Sequence, residues 1–145
     1  MNTIQKEKGK RALHVFLSYA AADREYARKL FNLLSQRSNL HIFNLEGLSA
    51  GEAWESKLKD ELSQCDIFIV LLSSNSVNSK WVLSELGAAW ALNKLIIPVV
   101  TNTEVLSKIP MDLRKTYSVE STYLEDHPEV IDQILERYKE RGNLA

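Results

Sequence analysis

A tryptophan and a glutamate stand four residues apart in the stretch SKWVLSEL at residues 79–86. In a helix, positions i and i+4 lie on one face, so Trp81 and Glu85 would point the same way. Two interpretations of Glu85 are open. It is an exposed carboxylate in the first turns of a helix, where the helix dipole favours negative charge, or a partly buried carboxylate with a raised pKa in a site. Helix physics alone favours the exposed one.

Short apolar runs alternate with helical patterns and show which elements must position this stretch. The runs begin at Leu13, Leu40, Ile67 and Leu95, with a weaker one, TYSV, at Thr116. Each is apolar on both faces, as strands covered on both sides are. Strands alternating with helices predict a parallel sheet. Five strands suit a flavodoxin-like three-layer α/β sandwich, with strand order 2-1-3-4-5 and helices on both faces.

Four helical stripes with a period of 3.6 residues accompany these strands. They comprise Ala27, Leu30, Phe31 and Leu34; Trp54, Leu58 and Leu62; Val82, Leu86, Ala89 and Trp90; and Val130, Ile131, Ile134, Leu135 and Tyr138. Asp23 is the expected N-cap of the first helix, and Pro128 the expected first residue of the last one. Proline is awkward inside a ladder, so we expect Pro98 near a strand end or at a bulge. A short, irregular helix is expected within 102–115.

Polar residues follow the predicted strands at the edge where ligands bind in such sheets. They are Ser18 and Tyr19 after the first strand, Asn44 after the second, and Ser73 and Ser74 after the third. In open parallel sheets, ligands occupy the crevice beyond the carboxyl ends of the strands, where the strand order reverses. Here that crevice lies between the first and third strands. The helix that carries Glu85 follows the third strand and therefore borders it.

Composition and motifs exclude several other classes of function. Eighteen basic and nineteen acidic residues give a net charge of -1, which provides no electrostatic reason to expect nucleic acid or a membrane surface as a partner. The single cysteine, Cys65, excludes an intrachain disulfide, and no Cys/His spacing indicates zinc. The motifs GxGxxG and GxxxxGK(S/T) are missing, so a phosphate-binding loop of the usual dehydrogenase or kinase type is not expected. His14, His41 and His127 fit structural roles better than catalytic ones, and no metal site is expected.

No apolar run is long enough for a signal peptide or a membrane span. This predicts a cytoplasmic protein with a disordered leader at residues 1–10 and a single domain over residues 11–145.

Three segments, in matching order and spacing, resemble Toll/interleukin-1 receptor (TIR) domains. HVFLSYAAAD at 14–23 resembles box 1 of that family. FNLEGLSAGEAWESKLKDEL at 43–62 resembles the second strand, BB loop and following helix of its prokaryotic and enzymatic members. CDIFIVLLSSNSVNSKWVLSEL at 65–86 resembles the third strand and the WxxxE motif, and LIIPVV matches the next strand. The resemblance covers nearly the whole chain and implies the flavodoxin-like fold.

The resemblance also implies an activity. Enzymatic TIR domains cleave the nicotinamide–ribose bond of NAD⁺ and release nicotinamide with ADP-ribose, a cyclic isomer or another ADP-ribosyl product. The glutamate of their WxxxE motif is catalytic, which assigns that role to Glu85, with Trp81 beside it. NAD⁺ is then the substrate, and no cofactor is expected.

Further expectations follow from the same resemblance. The implied substrate-binding residues are Ser18, Tyr19, Asn44, Leu48, Gly51, Trp54, Ser74 and Trp81. Family members commonly assemble head to tail, so that the BB loop of one subunit completes the site of its neighbour. The expected partners are other copies of the chain and a separately encoded effector or sensor, in immune or antiphage signalling.

Two other functions stay open beside the NAD⁺ nucleosidase. One is a non-catalytic adaptor that only associates with other TIR domains; the retained WxxxE motif favours the enzyme over it. The other is a nucleoside deoxyribosyltransferase-like enzyme, which also combines this architecture with a catalytic glutamate. The box 1 and BB loop segments favour a TIR domain over that enzyme.

Overall fold

The computed structural model describes residues 12–37, 39–44, 54–113, 116 and 118–144, without the side chains of Trp54 and of 141–144. The predicted leader at residues 1–10 lies outside these residues. The strands are β1 (Leu13–Ser18), β2 (Leu40–Phe43), β3 (Ile67–Leu72), β4 (Leu95–Val100) and β5 (Val119–Glu120). The α-helices are α1 (Arg24–Ser35), α2 (Trp54–Gln64), α3 (Lys80–Ala91), α4 (Ser121–Asp126) and α5 (Val130–Leu144).

All five strands form one parallel sheet in the order β2-β1-β3-β4-β5. This confirms the flavodoxin-like order 2-1-3-4-5. The order reverses at β1, which pairs with β2 on one side and β3 on the other. The crevice expected from the sequence therefore lies above the carboxyl ends of β1 and β3.

Each face of the sheet carries its own hydrophobic core. On one face, Phe16 packs at ring-centroid distances of 5.2 Å from Phe43 and 5.4 Å from Phe68, and the inner sides of α2 and α3 cover them. On the other face, α1 and α5 cover the sheet through residues such as Leu30 and Ile131. All six residues of β3 are buried. This explains why the strand reads as a continuous apolar run.

The expectation for Pro98 is wrong. It is the fourth of six residues in β4, and its Cα pairs with Val70 in a continuous register with β3, without a bulge. The strand tolerates it because β5 pairs only with Val99 and Val100. Pro98 thus precedes the part of β4 that has a strand on both sides, and on the β5 side its missing N–H removes no ladder bond.

Four smaller expectations also need correction. The fifth strand begins at Val119, three residues after the predicted Thr116. The last helix begins at Val130, two residues after Pro128. Trp90 belongs to the predicted apolar stripe of α3, which should face the core, yet it is 57% exposed near the end of that helix. Asp23 precedes α1 but makes no capping bond. The irregular segment after β4 contains a 3₁₀ helix at Thr103–Lys108, as expected.

Candidate active site

Helix α3 is anchored so that Glu85 must face inward. Ser79 caps its N-terminus, because the Ser79 Oγ accepts a hydrogen bond of 3.2 Å from the Val82 backbone N–H. Val82 and Ala89 are 0% exposed. They lie three residues before and four residues after Glu85, hence on the same face of the helix. Glu85 is consequently only 4% exposed, and the interpretation as an exposed helix-end carboxylate is wrong.

Ser18 holds one oxygen of this buried carboxylate. It is the last residue of β1 and is 2% exposed. Its Oγ donates a hydrogen bond of 2.6 Å to Glu85 Oε1. The second carboxylate oxygen, Oε2, is buried and has no hydrogen-bond partner among the described residues. Buried polar atoms are nearly always satisfied, so an orphaned carboxylate oxygen requires an explanation, and a functional role is one.

Burial dominates the electrostatics of Glu85. It raises the pKa of the Glu85 carboxyl from 4.5 to about 7, because the charged form loses its hydration, and the hydrogen bond from Ser18 lowers it only in part. Near neutral pH the group is therefore divided between its two protonation states. Such a shift, in a carboxylate that borders a cavity, is typical of functional sites.

A cavity of about 500 Å³ lies in front of this pair. It is lined by Leu17, Ser18, Tyr19, Ala21, Arg24, Trp81 and Glu85. Trp81 and Glu85 thus share one wall, as their spacing predicts, and the carboxyl end of β1 forms another. Four residues proposed from the sequence meet here. Arg24, the first residue of α1, was not predicted, because nothing in the sequence marks an exposed arginine at a helix start as a cavity residue.

The remaining predicted site residues lie elsewhere or beyond what is described. Asn44 follows β2 and is half-buried, and Ser74 follows β3 and is exposed; neither lines the cavity. Trp54 begins α2, but its side chain is not described. Leu48 and Gly51 fall outside the described residues. Their proposed contacts with substrate stay predictions.

A hydrogen-bonded network beside the crevice was missed at the sequence level. The Ser73 Oγ donates a bond of 2.6 Å to Asp23 Oδ2, and Asn75 Nδ2 donates one of 3.2 Å to Asp23 Oδ1. Ser76 Oγ accepts from the Ser73 backbone N–H at 2.8 Å. The two bonds to Asp23 join the segment after β1 to the segment after β3, and the bond between Ser73 and Ser76 lies within the latter segment. The Asp23 carboxylate serves this connection instead of capping α1.

A larger hollow of about 870 Å³ lies against β4 and the end of α3, and its lining includes Cys65, Trp90 and Tyr138. It contains none of the predicted site residues. Burial raises the pKa of the Cys65 thiol to about 11, so the residue stays in the unreactive thiol form. The smaller cavity, which holds the residues proposed from the sequence, is therefore the candidate active site.

The family model described as "TIR domain" matches residues 15–135 of the chain. The chain belongs to the TIR domain family. The match spans both walls of the cavity, including Ser18 and Glu85. No curated protein matches the chain in a sequence search.

Solved structures of TIR domains share the fold. The TIR domain of the Toll-related receptor TRR-2 from Hydra magnipapillata is 17% identical with a TM-score of 0.67, covering 88% of this chain and 99% of that one. The TIR-STING receptor from C. gigas in complex with 2',3'-cGAMP is 23% identical with a TM-score of 0.62, and the match covers 77% of this chain and 35% of the receptor chain. The TIR domain in the activated Roq1 resistosome, which recognises the pathogen effector XopQ, is 23% identical with a TM-score of 0.54. That match covers 87% of this chain and 78% of the other.

At such identities these likenesses establish the TIR fold and leave activity to be argued from the site. Within the described part of this TIR domain, no helix has the length and apolar character needed to cross a membrane.

Proposed function

We propose that this TIR domain is an NAD⁺ nucleosidase in which Glu85 is the catalytic carboxylate. The observation that carries the proposal is the orphaned Oε2 of Glu85, buried at the wall of the cavity. One oxygen of the carboxylate is held by Ser18, which leaves the other to meet a substrate. An adaptor that acts only through its surface has no use for a buried, half-satisfied carboxylate, which is costly to maintain.

A single carboxylate is sufficient for this reaction. Nicotinamide is a cationic group in NAD⁺ and departs as a neutral base, so no general acid has to protonate it. The transition state resembles an oxocarbenium ion, and a fixed negative charge next to it lowers its energy. Because Glu85 is shielded from water, its attraction for that developing positive charge is stronger than it would be at the surface.

The other residues at the cavity have supporting roles. Ser18 orients the Glu85 carboxylate, and Tyr19 and Trp81 provide aromatic surface for the nicotinamide and ribose. Arg24 adds positive charge at the cavity wall, which suits the anionic pyrophosphate of NAD⁺. Asn44, Leu48, Gly51, Trp54 and Ser74 are the further contacts that the family resemblance proposes, in part through a neighbouring subunit.

We further propose that the protein acts in the cytoplasm as an assembly of several copies, in immune or antiphage signalling beside a separately encoded sensor or effector. The family supports this proposal, since TIR domains self-associate, as in the Roq1 resistosome. Water or another nucleophile captures the ribosyl group after nicotinamide leaves, so the product is linear, cyclic or conjugated ADP-ribose.

The first prediction is that Glu85→Gln removes the release of nicotinamide from NAD⁺. The glutamine keeps the size of the side chain but lacks the negative charge, and we expect a loss of about 10²-fold or more. Chromatographic separation of the products, at a protein concentration where the chain is assembled, measures the rate. Glu136→Gln is the matched control, because its side chain is 69% exposed on α5, and it should react like the wild type.

Two results would contradict the proposal in different ways. If the assembled wild-type protein releases no nicotinamide and transfers no base, the nucleosidase assignment fails and the adaptor function is favoured. If Glu85→Gln and the wild type are equally active, the protein is an enzyme but another group stabilises the transition state. Transfer between nucleosides and free bases, with NAD⁺ left intact, would instead identify a deoxyribosyltransferase-like enzyme.

A further inference from the structure

Three side chains with metal-binding atoms converge near the amino ends of β1 and β2, at the end of the strands opposite to the crevice. His14 is the second residue of β1, and the parallel register pairs its Cα with that of His41 in β2. The two imidazole rings lie 4.7 Å apart between centroids. Glu61 of α2 reaches the same place, and His41 Nε2 lies 3.4 Å from Glu61 Oε2. Register and helix packing bring these residues together, so no short sequence motif indicates them.

The spacing of the three residues fits a tetrahedral metal. One ring nitrogen from each histidine and one oxygen of Glu61 all lie within 4.8 Å of one another. Zinc–ligand bonds of about 2.0–2.2 Å place tetrahedral ligand atoms about 3.4 Å apart, which is the separation seen between His41 and Glu61. Because the side chain of His41 is 48% exposed, a small rotation of it can complete the geometry without disturbing the core.

A second observation concerns the imidazole of His14. The Nδ1 atom of His14 is buried and makes no hydrogen bond with any described residue. Leaving a buried ring nitrogen unsatisfied costs free energy, so such an atom requires an explanation. The unsatisfied nitrogen therefore belongs to one of the three side chains of the cluster, whose other two members are an imidazole and a carboxylate.

The charged groups of the cluster are compatible with a bound cation, because the neighbouring lysine contacts only one oxygen of the Glu61 carboxylate. Lys57 Nζ lies 3.0 Å from Glu61 Oε1, so the lysine engages one carboxylate oxygen, while Oε2 faces His41. Glu61 is 8% exposed, and burial strengthens its attraction for a positive partner. The competing explanation for the short contact is an ion pair between Glu61 and a protonated His41.

We propose that His14, His41 and Glu61 bind a divalent transition-metal ion, with Zn²⁺ as the best-fitting one and water as the fourth ligand. Two imidazoles and a carboxylate are a donor set that suits zinc. The ion joins β1, the edge strand β2 and helix α2. His14 precedes Ser18 by four residues of β1, about 13 Å along a strand, so the metal stabilises the fold and takes no part at the Glu85 cavity.

Calorimetric titration of the chelator-treated protein with ZnCl₂ tests this proposal. We expect one ion per chain and a rise in Tm on binding, since a ligand of the folded state stabilises it. His41→Ala should weaken zinc affinity at least tenfold, and Glu61→Gln should weaken it comparably. His127→Ala is the matched control, because this histidine also lies near a glutamate, with Nδ1 3.2 Å from Glu129 Oε1, but outside the cluster.

Co²⁺ provides a second measurement with its own outcome. The wild type and His127→Ala should give the intense visible absorption of a tetrahedral site, and His41→Ala should not. The proposal is overturned if the wild type binds no ion, or if His41→Ala and Glu61→Gln bind zinc as tightly as the wild type does. Loss of affinity in His127→Ala alone would place the metal at the other histidine and overturn it as well. Circular dichroism confirms that each variant is folded.

Discussion

Glu85 is buried beside one hydroxyl donor, and its Oε2 has no hydrogen-bond partner in the part of the chain that the structure describes. This environment determines how activity should depend on pH. Burial raises the pKa of its carboxyl to about 7, whereas the proposed transition state requires the carboxylate. The rate of nicotinamide release should therefore rise with pH along an acid limb centred near 7. The Ser18 hydrogen bond lowers this pKa, so Ser18→Ala should move the limb to higher pH.

The pH–rate profiles of the wild type and Ser18→Ala measure both effects. Because Ser18 acts through Glu85, the variant should lose more activity at pH 6.5 than at pH 9. A proportional loss at every pH would contradict this role and indicate that Ser18 acts directly on the substrate.

The buried carboxyl of Glu85 should also reduce the stability of the folded protein at neutral pH. Since the pKa of Glu85 is raised on folding from 4.5 to about 7, the folded state binds more protons than the unfolded state between these values. Stability therefore falls as pH rises through this window, by up to about 3 kcal/mol. Glutamine carries no charge, so Glu85→Gln should be stabilised relative to the wild type at pH 8 but much less at pH 5. Urea denaturation at both pH values measures the difference, and an equal difference at both would contradict the assignment.

Sequence reasoning recovered part of the site for a physical reason. Trp81 and Glu85 share a helix face whatever surrounds them, and Ser18 ends a strand whose carboxyl end faces the crevice. The hydrogen bond between Ser18 and Glu85 joins residues 67 positions apart, and no local pattern encodes such a pair. The same is true of Asp23 and Ser73, and of the three residues in the proposed metal site.

At the scale of elements, the Asp23–Ser73 bond connects the segments that follow β1 and β3, the strands on either side of the crevice. The Ser73 Oγ donates to the Asp23 carboxylate at 2.6 Å, and hydrogen bonds to charged groups contribute about 1.5–3 kcal/mol. Ser73→Ala and Asp23→Ala should each lower the free energy of unfolding by at least about that amount. Each also removes further bonds, since the Ser73 Oγ accepts from two backbone N–H groups and Asp23 Oδ1 accepts from the Asn75 amide. The double variant should lose less than the sum of the two, because each single substitution already removes the bond that the two side chains share.

Urea denaturation of the two single variants and the double variant measures this coupling. Ser74→Ala is the control, since this neighbouring serine is exposed and should change stability by less than about 0.5 kcal/mol. Strict additivity of the two single effects would show that the bond does not connect the two segments.

The strands and helices were predictable from the sequence where their burial leaves an apolar pattern in it. β1 to β4 begin where the apolar runs predict, because strands covered by helices must be apolar on both faces. β5 has only Val119 and Glu120, too few residues for a pattern, and its predicted start was wrong. Trp90 continues the periodic stripe of α3 yet is 57% exposed, because periodicity does not show how far a neighbouring element extends over a helix.

At the scale of the whole molecule, the crevice and the proposed metal site occupy opposite ends of the strands. Ser18 closes β1 at the crevice, whereas His14 lies near its start. The Glu85 helix packs against the central strands, and the proposed metal would join the edge strand β2 to β1. The fold thus separates the rigid support of the cavity from the part of the sheet that a metal would stabilise.

This arrangement predicts a gradient of local stability across the sheet. β3 is buried at all six residues and pairs with a strand on each side, whereas β2 and β5 are edge strands of four and two residues. Backbone amides in the middle of β3 should exchange with solvent only through global unfolding, and those of β2 and β5 at least tenfold faster through local opening. Native-state hydrogen exchange, followed residue by residue, measures this. Similar protection of β2 and β3 would show that the sheet opens as one unit, and Ser18 and Glu85 would then have no more rigid support than the edge strands.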